Sequence, residues 1–125
     1  MNAIAQVLYH ASNGKDFYLL LGDFLDSFYR AGEQSRLDMI NDSPPANCVE
    51  AQPIYSAFAA SVVHKLANDY KLPVPAWVYQ DEYYLSKPYF GGDAKGSLRW
   101  WFMYKSPPEF KHRNLFVCEN VLKRV

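Results

Sequence analysis

The apolar residues Ile54, Phe58, Val62, Leu66 and Tyr70 recur at every fourth position, a spacing that places them on one face of an α-helix. Ala57, Ser61 and Val63 widen or flank the stripe. Pro53 suits a first helical turn, where its missing N–H breaks no hydrogen bond. Leu72-Pro73-Val74-Pro75 then forbids continuation. The pattern predicts a helix from Gln52 or Pro53 to Tyr70, against which the rest of the chain must pack.

The flanking segments read as shorter helices. Ile4, Val7 and Leu8 predict a helix over Ala3–His10, with Gly14 as its break. Phe17, Leu20, Leu21, Phe24, Leu25 and Phe28 predict a second, capped by Ser12 or Asn13 and ended by Gly32. Ser35–Asn41 gives a third, before a loop at Ser43-Pro44-Pro45. Beyond Pro75 the chain turns aromatic and shows no sustained period. Pro88, Gly91, Gly92 and Gly96 interrupt it, which predicts an irregular connection with at most a turn or two of helix at Asp81–Leu85. Ser97 opens a helix through Tyr104, and Ser106-Pro107-Pro108-Glu109 reads as a capping box for a helix to about Arg113. Leu115–Cys118 is β-prone but short, and Glu119–Val125 fits a last helical turn. The fold class expected is mainly α, one domain over residues 1–125, with five to six helices and an aromatic-rich connection.

Ten Tyr, eight Phe and three Trp in 125 residues point to a core built on rings rather than a disordered chain. Thirteen Lys/Arg balance thirteen Asp/Glu, so no global field draws in nucleic acid or an anionic membrane. The opening MNAIAQVLYHASNGKDF lacks the basic start and apolar run of a signal peptide. With only two separated cysteines, that predicts a reduced, cytoplasmic protein.

Chemistry-bearing residues are scattered. His10, His64, His112, Cys48 and Cys118 show no ligand spacing for a metal, and none is expected. Cys118 follows Phe116 and Val117, so a buried thiol is expected rather than a nucleophile served by His112. Gly91-Gly92-Asp93-Ala94-Lys95-Gly96 matches neither phosphate-loop pattern. Asp81-Glu82 and Asp23 with Asp26 read as solvated acids. Arg99, Lys105, Lys111, His112, Arg113, Lys123 and Arg124 make the last third locally basic, close to Trp100, Trp101, Phe102 and Tyr104. A nucleic-acid face is one reading of that cluster. The other buries the Trp and Phe rings in the core and leaves the cations wet near helix ends.

One set of residues carries a family likeness. It comprises Leu72-Pro73-Val74-Pro75-Ala76-Trp77, Tyr84-Leu85-Ser86-Lys87-Pro88-Tyr89-Phe90, Leu98-Arg99, the run from Ser106-Pro107-Pro108-Glu109 to Val117, and Leu122-Lys123-Arg124-Val125. From about Ala51 to Val125 the chain resembles the C-terminal region of a group of uncharacterised bacterial proteins. There a similar segment stands alone or behind a Cro/repressor-type helix-turn-helix, often in toxin–antitoxin-like gene pairs whose other product resembles a nucleotidyltransferase. The first fifty residues here show no such helix-turn-helix. The likeness therefore implies partner holding rather than operator binding.

The expectation is a non-enzymatic protein-binding module, an antitoxin-like or regulatory subunit of a bacterial two-gene system, without cofactor. Its partner-binding residues are expected to be Trp77, Tyr83, Tyr84, Arg99, Lys111, Arg113 and Arg124, with Lys111, Arg113, Lys123 and Arg124 as an exposed rim. The rivals are a small-molecule site or small enzyme lined by the Trp77–Tyr84 rings, and a nucleic-acid binder using Arg99, Lys111, Arg113 and Arg124 on one face.

Overall fold

The computed structural model describes residues 3–91, 96–118 and 121–123. The architecture is mainly α. Helices α1 (Ile4–Ser12), α2 (Phe17–Arg30), α3 (Glu33–Asn41), α4 (Ala46–Ala51) and α5 (Pro53–Asp69) fill the first half. Two 3-10 turns (Ala76–Tyr79 and Asp81–Tyr83), strand β1 (Tyr89–Phe90), α6 (Ser97–Lys105), α7 (Pro108–Lys111) and strand β2 (Leu115–Phe116) follow. Six of these α-helices stand where the sequence places them, while α4 was not expected. Its six residues are too few to show a period, yet Cys48 and Val49 on it are buried. The described residues contain no helix long and apolar enough to cross a membrane.

The central helix is α5, which packs against α1, α4, α7 and both 3-10 turns. Its burial exceeds a stripe: every residue from Ser56 to Val63 is buried. Small residues at positions 56, 57, 59, 60 and 61 let neighbours approach on all sides, as a helix surrounded by other elements requires. The two buried serines satisfy their hydroxyls locally. Ser56 Oγ lies 2.7 Å from Gln52 O and 3.1 Å from Val49 O, and Ser61 Oγ donates to Ala57 O at 2.8 Å. Tyr70, the last member of the expected stripe, is instead partly exposed as the C-cap.

Rings tie the two halves together. Phe17 on α2 stacks on Tyr55 (centroids 4.4 Å apart, planes 8° apart) and meets Phe58 edge-on, and Phe58 meets Phe110 of α7 edge-on at 5.3 Å. Such pairs add about 0.5–1.5 kcal/mol each beyond the area they bury.

Two helix ends differ from expectation. Asp16 caps α2, accepting from the N–H groups of Tyr18 (2.9 Å) and Leu19 (3.3 Å). Ser12 and Asn13 are used instead at the end of α1, where both side chains donate to Tyr9 O. Gly32 opens α3, while α2 ends at Ala31. Arg36 of α3 completes that end, its guanidinium donating to Phe28 O (2.9 Å) and Tyr29 O (3.0 Å). Both carbonyls belong to the last turn of α2, where a helix runs short of donors, and Phe28 O also accepts from Ala31 N–H at 3.2 Å. The same group lies 4.3 Å from the centre of the Tyr70 ring.

The strands form a parallel pair with Tyr89 opposite Leu115 and Phe90 opposite Phe116, and the two Phe rings stack at 5.1 Å. Parallel neighbours need a crossover. Here it is the segment carrying α6 and α7, so α6 is strung between two paired strands.

Candidate protein-docking face

The residues after α6 act as fold staples. Ser106 does not cap α7, whose N-cap is Pro107. Its buried hydroxyl oxygen instead accepts from Val117 N–H at 2.8 Å and lies within hydrogen-bonding distance of the carbonyls of Val117 and Phe102. That pins the end of α6 to the exit of β2. The reciprocal capping box is therefore absent, and Glu109 turns to Asn68, whose Nδ2 donates to Oε2 at 2.9 Å. Asn114 takes a left-handed turn (φ 63°), donates from its side chain to Leu85 O at 2.7 Å, and accepts Tyr89 N–H at its backbone carbonyl. Asn tolerates that conformation better than most residues.

Arg113 overturns the expected basic rim. It is 1% exposed. Nη1 donates to Glu109 O (3.0 Å) and His64 Nδ1 (3.2 Å), Nη2 donates to Val78 O (2.7 Å), and the guanidinium covers the Tyr84 ring at 4.8 Å. The side chain thus locks α7, α5 and the first 3-10 turn together. Burial lowers its pKa from the usual arginine value, yet a guanidinium remains charged throughout the physiological range. A planar fork with five N–H groups suits a site made of carbonyls and one ring nitrogen.

Trp77 and Tyr83 are also core residues. Trp77 Nε1 donates to Ile40 O at 3.0 Å, and the two rings meet at 5.1 Å. Burial pushes the Tyr83 phenol up to about 12. Both rings are buried, as suits a large ring whose one polar atom finds a carbonyl in reach, which Trp77 does at Ile40. Tyr84 is half-buried beneath Arg113. Lys111 is half-buried and donates to Tyr104 O at 2.7 Å, complementing the end of α6. Among the described members of the expected set, Arg99 alone combines exposure with a place on an outward helix, its guanidinium 4.8 Å from the Phe90 centroid. Arg124 and most of the expected last turn lie outside the described residues. The four-cation face is not assembled, since Arg113 is withdrawn into the interior. Cys48 is buried, but Cys118 is exposed, against expectation.

The largest departure concerns α6. None of its nine residues is buried. Trp100 (75% exposed), Tyr104 (73%), Trp101 (52%), Leu98 (46%) and Met103 (44%) all face outward. The Trp rings therefore do not join the core. Other exposed apolar groups, such as Tyr9, Leu19 and Tyr79, stand on separate elements, as is ordinary for a protein surface. Lys105 reaches back over the Trp101 and Tyr104 rings, 5.3 Å from each centroid, keeping a cation against their faces. The helix carries Arg99 and Lys105 and no carboxylate.

The sequence held a sign of this surface. Ser97-Leu98-Arg99-Trp100-Trp101-Phe102-Met103-Tyr104-Lys105 is apolar at six of its seven interior positions, Arg99 being the exception, so the helix lacks a continuous polar face. A helix apolar on all sides is ordinarily buried in a large core. Between Gly96 and Ser106-Pro107-Pro108 it is too short to serve as a second central helix.

Among the described residues no group of three or more His, Cys, Asp or Glu could hold a metal ion. Comparison with protein-family models, curated proteins and solved structures finds no match for the chain.

Proposed function

We propose that the protein is a non-enzymatic protein-binding module and that α6 is the surface with which it holds its partner. The carrying observation is a nine-residue helix with no buried residue and five large apolar side chains in the open. Trp, Tyr and Met are enriched where proteins meet, and Trp and Tyr dominate the energy of contact. The basic character of α6 favours a partner with carboxylates around an apolar patch. The family likeness adds the setting of an antitoxin-like or regulatory subunit in a bacterial two-gene system, with a nucleotidyltransferase-like toxin as the partner class.

The test is purification of the tagged full chain from its native host, beside the Trp100→Ala/Trp101→Ala double variant. One protein is expected in stoichiometric amount with the native chain and none with the variant. A native chain that captures nothing, or a variant that captures as much, refutes the reading. Nucleic-acid binding is the rival outcome. It would appear as association with generic DNA or RNA that weakens steeply with salt, and the burial of Arg113 counts against it.

A further inference from the structure

A cavity of about 620 Å³ lies behind α6, between α2, α5 and the strand pair. That volume is in the range of small-molecule sites, roughly 300–1,000 Å³. Leu21 and Leu25 of α2, Phe58 of α5, Phe102 of α6 and Val117 past β2 contribute apolar wall. Polar groups are few: the phenols of Tyr18 and Tyr89 and the thiol of Cys118. No described lining residue is charged, so among the described residues nothing offers an ionised guest a counter-charge to replace its hydration.

The two phenols share an edge of the cavity, since both also border an adjoining hollow beside Ile54 and Tyr55. Tyr18 is half-exposed, which places it where a guest's polar end would reach water. Burial first, and then the neighbouring Tyr89, raises the Tyr18 pKa. Its hydroxyl thus keeps its proton at neutral pH and is available as a donor.

We propose that this cavity is a binding site for an uncharged, mainly aromatic small molecule bearing one hydroxyl or carbonyl group, whose apolar body lies against Leu21, Phe58 and Phe102 while its oxygen meets Tyr18 and Tyr89. The site is independent of docking through the outer face of α6: Phe102 lines the cavity, whereas the exposed Trp100, Trp101 and Tyr104 rings are not among its described lining residues.

Fluorescence titration of the full-length chain with N-phenyl-1-naphthylamine, an uncharged apolar probe, tests the site. Saturable binding of one probe per chain is expected. Cys118→Trp, which places an indole at an exposed position of the lining, weakens the probe at least tenfold, whereas Cys118→Ser leaves it within twofold. Should Cys118→Trp fail to fold, alkylation of the accessible Cys118 thiol with N-benzylmaleimide gives the same blockade, because Cys48 is buried. In competition, 2-naphthol displaces the probe about fivefold more effectively than naphthalene, and Tyr18→Phe abolishes that advantage, as loss of one hydrogen bond should. Non-saturable binding, full binding after both blockades, or an unchanged naphthol preference in Tyr18→Phe overturns the proposal. So does loss of the probe in Trp100→Ala/Trp101→Ala, which would place it on the outside of α6 instead.

Discussion

His64 Nδ1 stands 3.2 Å from Arg113 Nη1, and only one protonation state of the imidazole permits that contact. A guanidinium has no acceptor, so Nδ1 must offer a lone pair. The ring is then neutral with its proton on Nε2, which faces the Tyr79 hydroxyl at 3.5 Å. Burial, then the Arg113 charge, lowers the His64 pKa; Glu109 pulls it upward and His112 adds to the lowering. The folded state therefore binds fewer protons than the unfolded chain, whose histidine titrates near 6.5. The resulting stability is fully present above about pH 6.5 and is lost as pH falls through the lower folded value. Thermal melts between pH 7.5 and 5 should show this decline. His64→Asn, which keeps an acceptor but does not titrate, should flatten it; an equally steep decline in that variant would refute the assignment.

Removing Arg113 should be severe. Arg113→Ala strips three acceptors of their donor inside the protein and should cost at least about 3 kcal/mol. Arg113→Lys should recover little, since a single ammonium cannot span Glu109 O, Val78 O and His64. Urea denaturation measures both, and a Lys variant as stable as the native chain would contradict the fork geometry.

Phe58 joins Phe17 to Phe110 at the centre of the ring chain. Phe58→Ala should cost about 3–5 kcal/mol. An unchanged melt would mean that this face of α5 is not packed as described.

The α2 cap is separable from its neighbours. Asp16→Ala should destabilise by about 1 kcal/mol. Ser12→Ala should cost less, because its hydroxyl serves only the last turn of α1 and the edge of Cys48. Equal losses in the two variants would restore Ser12 as a cap of α2.

Trp100→Ala and Trp101→Ala should leave the melt within about 0.5 kcal/mol of the native value, as is usual for exposed sites. Partner affinity should nevertheless fall by about 2 kcal/mol or more for at least one of them. A large loss of stability would show instead that these rings hold the fold together.

The helices with a strong period were legible in the sequence, because burial on one side leaves a mark every third or fourth residue. So α1, α2 and α5 could be placed, while α4, with six residues, leaves too little pattern to read. The site was harder. Arg113 and Lys111 look alike as neighbouring cations, and only the carbonyls of Val78 and Glu109, one of them 35 residues away, decide that Arg113 turns inward. Trp77 and Trp100 pose the same problem in reverse. Each is a large ring near prolines or glycines, and only Trp77 finds a buried carbonyl, on Ile40, for its indole N–H. Ser106 and Glu109 fit a capping box by spacing, but the backbone of Val117, far along the chain, competes for the serine and wins.

The strand pairing of Tyr89 with Leu115 and the Ser106 bridge to Val117 close both ends of the α6 segment. The helix is in effect a cassette clipped onto a finished body. On the docking role proposed for α6, exchanging its outward residues while keeping Phe102 would re-address the molecule to a new recipient, and its melting behaviour would stay that of the parent.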